Sequence, residues 1–149
     1  MHAVELNKVC CGYGGREVLH NVSLTLPEHA LAGIVGPNGG GKTTLLKLLL
    51  GTIRPTYGTV RVLGRTPEEA RRRIGYVPQH FEFDERYPIR ARDVVLAGRL
   101  DRHGFGPYRR EDREAAATAL ERVGLQGLER RPFADLSGGE RQRLLVAQA

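Results

Sequence analysis

The 149-residue sequence predicts an α/β fold with a strand-rich first part and a helical second part, and three observations predict it. Residues 3–9 and 22–26 alternate apolar and polar side chains, the period of half-buried strands, on either side of the turn Gly12, Tyr13, Gly14, Gly15. Residues 30–35 are almost continuously apolar, as in a strand covered on both faces, and run directly into GPNGGGKTT. From Pro78 onward glycine and proline punctuate stretches of helical character.

The elements follow in order. The two alternating runs read as an antiparallel pair. After the glycine loop, residues 43–50 read as a helix closed by Gly51, with Pro55 beyond it. Residues 58–63 read as a further strand. Thr66, Pro67 and Glu69 then supply an N-cap, a first-turn proline and a capping-box acid for a short basic helix to Arg73. Residues 74–77 read as the next buried strand. Helices are expected near 92–99 and 110–123, the second ended by Gly124. The length fits one domain, 1–149, whose character changes near Gln79 from a strand-rich part (1–78) to a helical part (79–149).

Composition narrows the classes. With 40% hydrophobic and 27% charged residues the chain has the balance of a packed protein, not of a disordered or fibrous one. Its most apolar runs, at 30–35 and 45–50, fall far short of the roughly twenty residues a membrane span requires. The N-terminus shows no basic segment followed by an apolar one, so a cytoplasmic location is expected. Cys10 and Cys11 are neighbours and read as free thiols, and the five histidines lack metal-ligand spacing. The net charge of +6 includes clusters at Arg71, Arg72 and Arg73, at Arg109 and Arg110, and at Arg130 and Arg131. Such charge fits an anionic partner and equally a solvated helix face interleaved with glutamates.

Residues 36–43 satisfy GxxxxGK[ST] at every fixed position, in the strand-to-helix setting that separates a phosphate loop from a chance match. A triphosphate carries several negative charges and needs many donors close to its oxygens. Gly36 opens the loop, and Gly39, Gly40 and Gly41 let backbone N–H groups converge without side chains in the way. The helix start adds its positive dipole end. Lys42 is expected on the β and γ phosphates, the Thr43 hydroxyl on Mg²⁺, and Thr44 in support of the loop backbone. The loop alone fits kinases, GTPases, helicases and transport ATPases. A second glycine-bared helix start lies in LSGGERQR, where Ser137 and Glu140 match a capping box and Gly138 and Gly139 leave N–H donors uncovered. Anion binding and ordinary capping both fit those residues taken by themselves.

GPNGGGKTT followed by LSGGERQR resembles the nucleotide-binding subunit of ATP-binding-cassette (ABC) transporters, whose signature motif reads LSGGQ or LSGGE. The resemblance implies a P-loop NTPase (RecA-like) core with an antiparallel β subdomain and a helical subdomain carrying the signature. It implies ATP and Mg²⁺ as ligands and places the adenine-stacking aromatic on Tyr13. Asn38 falls within the nucleotide-binding loop, and Lys42 and Gln79 act in catalysis. Gln79 in YVPQ is the Q-loop glutamine, which touches Mg²⁺ and the transport partner. Ser137, Gly138 and Gly139 would bind the γ-phosphate held by a second subunit, in a head-to-tail dimer with two nucleotides between the copies. Integral membrane permease subunits, and indirectly a solute-binding protein, complete the implied assembly at the inner face of the cell membrane. No direct nucleic-acid partner is implied.

The run PQHFEFDERYPIRARDVVLAGRL is similar to the helical region of cassettes serving zinc, manganese or iron importers, with His80, Arg90 and Ala91 at variable points. The family also has a Walker B aspartate ending an apolar strand, with a catalytic glutamate beside it. Asp101 and Asp135 lack the preceding apolar run, and the family places this strand shortly after the signature, beyond Ala149. The expectation is therefore the front part of a cassette, incomplete at its C-terminal side, that turns over ATP poorly and folds poorly alone. Gln148 stands where the family usually has arginine. The alternatives are a soluble cassette ATPase acting on nucleic acid or the ribosome, and a non-hydrolysing nucleotide-binding fragment.

Overall fold

In the computed structural model, which describes residues 2–79, 88–100 and 106–149, the first two alternating runs lie within longer strands, β1 (His2–Tyr13) and β2 (Arg16–Pro27). They pair antiparallel, with Leu6 opposite Leu24, Val9 opposite Val22 and Tyr13 opposite Arg16. Gly14 and Gly15, at φ 56° and 81°, make the two-residue connection; positive φ at both positions gives the twist that a tight hairpin requires. On the far edge of β1 runs β3 (Tyr57–Val62), also antiparallel, giving the order β2-β1-β3. Its register sets Leu6 opposite Val60 and Val4 opposite Val62, so apolar residues share one face.

That face is covered by α1 (Lys42–Leu49), whose Leu48 is fully buried among Leu6, Val9, Cys11, Leu19 and Val60, with Leu45 and Leu49 beside it. The helix stops where expected. Gly51 takes φ 65°, its N–H bonds the Leu48 carbonyl and the Thr52 N–H bonds the Lys47 carbonyl, satisfying two terminal acceptors. Arg71 then donates to the carbonyls of Leu50 (3.2 Å) and Gly51 (2.6 Å), placing its cation at the negative end of α1. Arg71 follows α2 (Pro67–Ala70), which Thr66 and Glu69 cap reciprocally, and opens a 3₁₀ turn through Arg73.

Two expected strands do not form. Residues 30–35 lie outside any strand and are exposed throughout, Leu31 and Val35 almost completely. Residues 74–77 are likewise irregular, and Tyr76 is exposed. A strand covered on both faces takes its backbone hydrogen bonds and its burial from neighbouring strands and helices. Among the described residues nothing pairs with either segment.

The chain divides into two compact units, Met1–Ile74 and Gly75–Ala149. The second is helical: α3 (Ala91–Ala97), α4 (Arg110–Arg122) and α5 (Gly138–Gln148) pack around Val94, Val95, Leu96, Ala116, Leu120, Phe133 and Leu144. Leu125 joins them after Gly124 ends α4 at φ 69°. Asp112 on α4 is buried; it accepts from the Arg109 N–H at 3.0 Å and from the Arg99 guanidinium at 2.8 Å. His80, Asp101, His103 and the acidic-aromatic run after Gln79 lie outside the described residues. Cys10 and Cys11 are free thiols. Among the described residues no helix is long and apolar enough to cross a membrane.

Candidate functional site

The phosphate loop belongs to the first unit. Gly39 and Gly41 adopt φ 81° and 84°, a region closed to most side chains, and Gly41 is the N-cap of α1. No side chain caps this helix and its first turn holds no acid, so its leading N–H groups and dipole face outward uncompensated. A Cβ on Gly39 would meet nothing within 4 Å, whereas one on Gly41 would lie 2.7 Å from Leu19 Cδ2. The first glycine therefore serves conformation and open approach, and the second also serves the contact with the sheet.

Lys42 folds back over this cradle, donating to the carbonyls of Gly36 at 2.8 Å and Pro37 at 2.7 Å. Its ammonium is thereby held at the loop, and the Gly40 N–H closes the turn on the Pro37 carbonyl at 3.1 Å. Thr43 is exposed at the first turn of α1, while Thr44 is buried. Asn38 is exposed in the loop. Converging N–H donors, a fixed cation and the hydroxyl of an exposed threonine make a donor set suited to a polyphosphate with a bound Mg²⁺.

Tyr13, the last residue of β1, is 47% exposed, and the Lys47 ammonium lies 5.7 Å from its ring centroid. Nothing in the local sequence links Tyr13 to Lys47. The contact exists because α1 packs on the sheet that carries Tyr13.

The second unit holds the other expected residues. Gln79 is exposed and lines a cleft of about 220 Å³ with Pro78, Phe133, Gly138, Arg141 and Gln142. Ser137 is the N-cap of α5, and the capping box is complete. Its hydroxyl accepts from the Glu140 N–H, and its own N–H donates to the Glu140 carboxylate at 2.7 Å. The same carboxylate takes a bond from the Ser137 hydroxyl at 2.7 Å. Gly138 and Gly139 have no positive φ, and a Cβ on either would meet nothing within 4 Å. Among the described residues neither backbone conformation nor packing calls for glycine at these two positions.

Arg141 escaped the sequence reading. It donates to the Ala134 carbonyl at 2.6 Å and stacks over Phe133 at 5.3 Å, pinning the turn before Ser137 to the first turn of α5. Asp135 ends the 3₁₀ turn Phe133–Asp135.

The hydrogen bonds from Ser137, backbone first and hydroxyl second, hold the Glu140 carboxyl below its ordinary value of 4.5. A depressed carboxylate contributes its stabilisation fully above that ordinary value and loses it as pH falls through the depressed one. The protection of the Ser137 amide, measured against its intrinsic exchange rate, is therefore expected to fall on acidification below 4.5. In Glu140→Gln that step should disappear; an unchanged acid profile would refute the role given to the carboxylate.

A family model described as ABC transporter matches residues 19–149. The manganese transport system ATP-binding protein MntB of Bacillus subtilis is 41% identical over 150 residues, covering 100% of this chain and 60% of that protein. The zinc transport system ATP-binding protein TroB of Treponema pallidum is 39% identical, covering 99% of this chain and 56% of that one. Among solved structures, a metal-chelate type ABC transporter in an inward-facing conformation superposes with a TM-score of 0.82 at 30% identity, over 100% of this chain and 56% of its own. The chain thus spans 56–60% of the length of these two relatives.

Proposed function

We propose, from the premise that the chain belongs to the ABC transporter family, that it is the ATP-binding part of an importer for a divalent transition metal. The observation that carries the reading is the pair of glycine-bared helix starts. The first forms a cradle around Lys42; the second offers N–H groups at glycines that no contact among the described residues requires. A ligand approaching from outside explains the second pair.

In this reading Tyr13 stacks on adenine and the N–H groups of Gly39, Gly40 and Gly41 wrap the phosphates, with Asn38 in the same loop. Lys42 holds the β and γ oxygens. Thr43 and Gln79 are the ligands for Mg²⁺, which neutralises phosphate charge. Ser137, Gly138 and Gly139 meet the γ-phosphate bound by a second copy, so two nucleotides join two cassettes head to tail. Membrane permease subunits receive the motion on the inner face of the membrane, and a solute-binding protein is engaged through them. Hydrolysis is the family's activity. Among the described residues no strand ends in an aspartate–glutamate pair, so these residues alone are expected to bind ATP and turn it over weakly.

The test is geometric. In the full-length protein, with Cys10 and Cys11 replaced, Gly39→Cys paired with Ser137→Cys is expected to crosslink between copies when ATP is present and not without it. A protein that binds ATP yet never forms that bridge would leave the dimer reading without support.

A further inference from the structure

We infer that Lys47 is the positioning residue for the nucleobase, acting through Tyr13. This rests on the reading above, in which Tyr13 receives the adenine. Two independently anchored elements create the contact. Tyr13 is held by its pairing with Arg16 across the Gly14–Gly15 turn, and α1 is held by the fully buried Leu48 with Leu45 and Leu49. Lys47, in the last turn of α1, has its ammonium 5.7 Å from the Tyr13 ring centroid. Among the described residues no carboxylate pairs with it.

A cation over one face of a phenol ring is attracted by the ring's quadrupole and restricts the two torsions that aim it. Tyr13 remains 47% exposed, so surface is left for a purine to stack on. Ordering the ring before the base arrives removes part of the entropy that stacking would otherwise cost. One helix then governs both ends of the ligand: its first turn carries Lys42 and Thr43, and about 7.5 Å further along its axis Lys47 sets the platform for the base. Lys42 acts on phosphate and would act on any polyphosphate. Lys47 acts on the part of the ligand that a bare polyphosphate lacks.

The experiment uses the full-length protein and two ligands, MgATP and inorganic tripolyphosphate with Mg²⁺, titrated calorimetrically. Lys47→Met is expected to weaken ATP binding about two- to fivefold while leaving tripolyphosphate affinity and the melting temperature unchanged. Lys47→Arg, which keeps a cation for the ring, should retain the parent affinity for ATP. Unchanged ATP affinity in Lys47→Met, or an equal loss for both ligands, would overturn the inference. Tyr13→Ala tells the failures apart. If it weakens ATP binding and Lys47→Met does not, only the role of Lys47 falls. If neither substitution alters ATP binding, the adenine-stacking reading falls and takes the inference with it.

Discussion

Replacing Lys42 by alanine in the full-length protein is expected to lower ATP affinity about ten- to a hundredfold while hardly changing thermal stability. The side chain is a point charge whose partners among the described residues are the carbonyls of Gly36 and Pro37, at 2.8 and 2.7 Å on an exposed loop. Water can satisfy those carbonyls once the ammonium is gone, so folding loses little. A polyphosphate loses a charge-assisted contact that no neighbouring residue can replace, because α1 has an uncapped start and no other cation in its first turn. Nucleotide titration alongside a thermal melt checks both halves. Affinity equal to the parent's would remove Lys42 from the site and with it the reading of the loop.

The largest stability effect is expected at Asp112. Its side chain is 7% exposed and that of Arg99 is 27% exposed, and their ion pair spans 2.8 Å. Asp112→Ala leaves a mostly buried guanidinium without its carboxylate and also frees the Arg109 N–H that the carboxylate accepts. Breaking such a pair from one side costs about 3 kcal/mol, and for a domain of this size each kcal/mol lowers the melting temperature by about 2–4 °C. The double variant Arg99→Met, Asp112→Leu should recover more than half of the loss, since it buries no unpaired charge. If Asp112→Ala melts with the parent, or the double variant is no better than the single one, the pair has no such role.

Legibility in the sequence followed the range of the interaction. The phosphate loop, the stop of α1 at Gly51, the Thr66–Glu69 box and the Ser137–Glu140 box join residues a few positions apart. Each leaves a local mark, a glycine where φ is positive or an acid three positions after a hydroxyl. The hairpin of β1 and β2 was legible too, because alternation and a Gly-Gly turn specify it locally. Lys47 beside Tyr13, Arg99 beside Asp112 and Arg71 at the end of α1 left no such mark. Each pairs residues from different elements, and packing alone brings them together.

Residues 30–35 show the limit most directly. Their unbroken apolar character states how much burial the segment can use, but a strand forms only when other strands accept its backbone hydrogen bonds. No described residue does so, and Leu31 and Val35 stand exposed. The amino-acid sequence determined by itself where the chain turns, where its helices start and which of them starts without a side-chain cap, because backbone sterics and capping act over three or four residues. Only the tertiary structure decided which runs become strands, which charges meet and which ring receives a cation, because those depend on surfaces contributed from far along the chain.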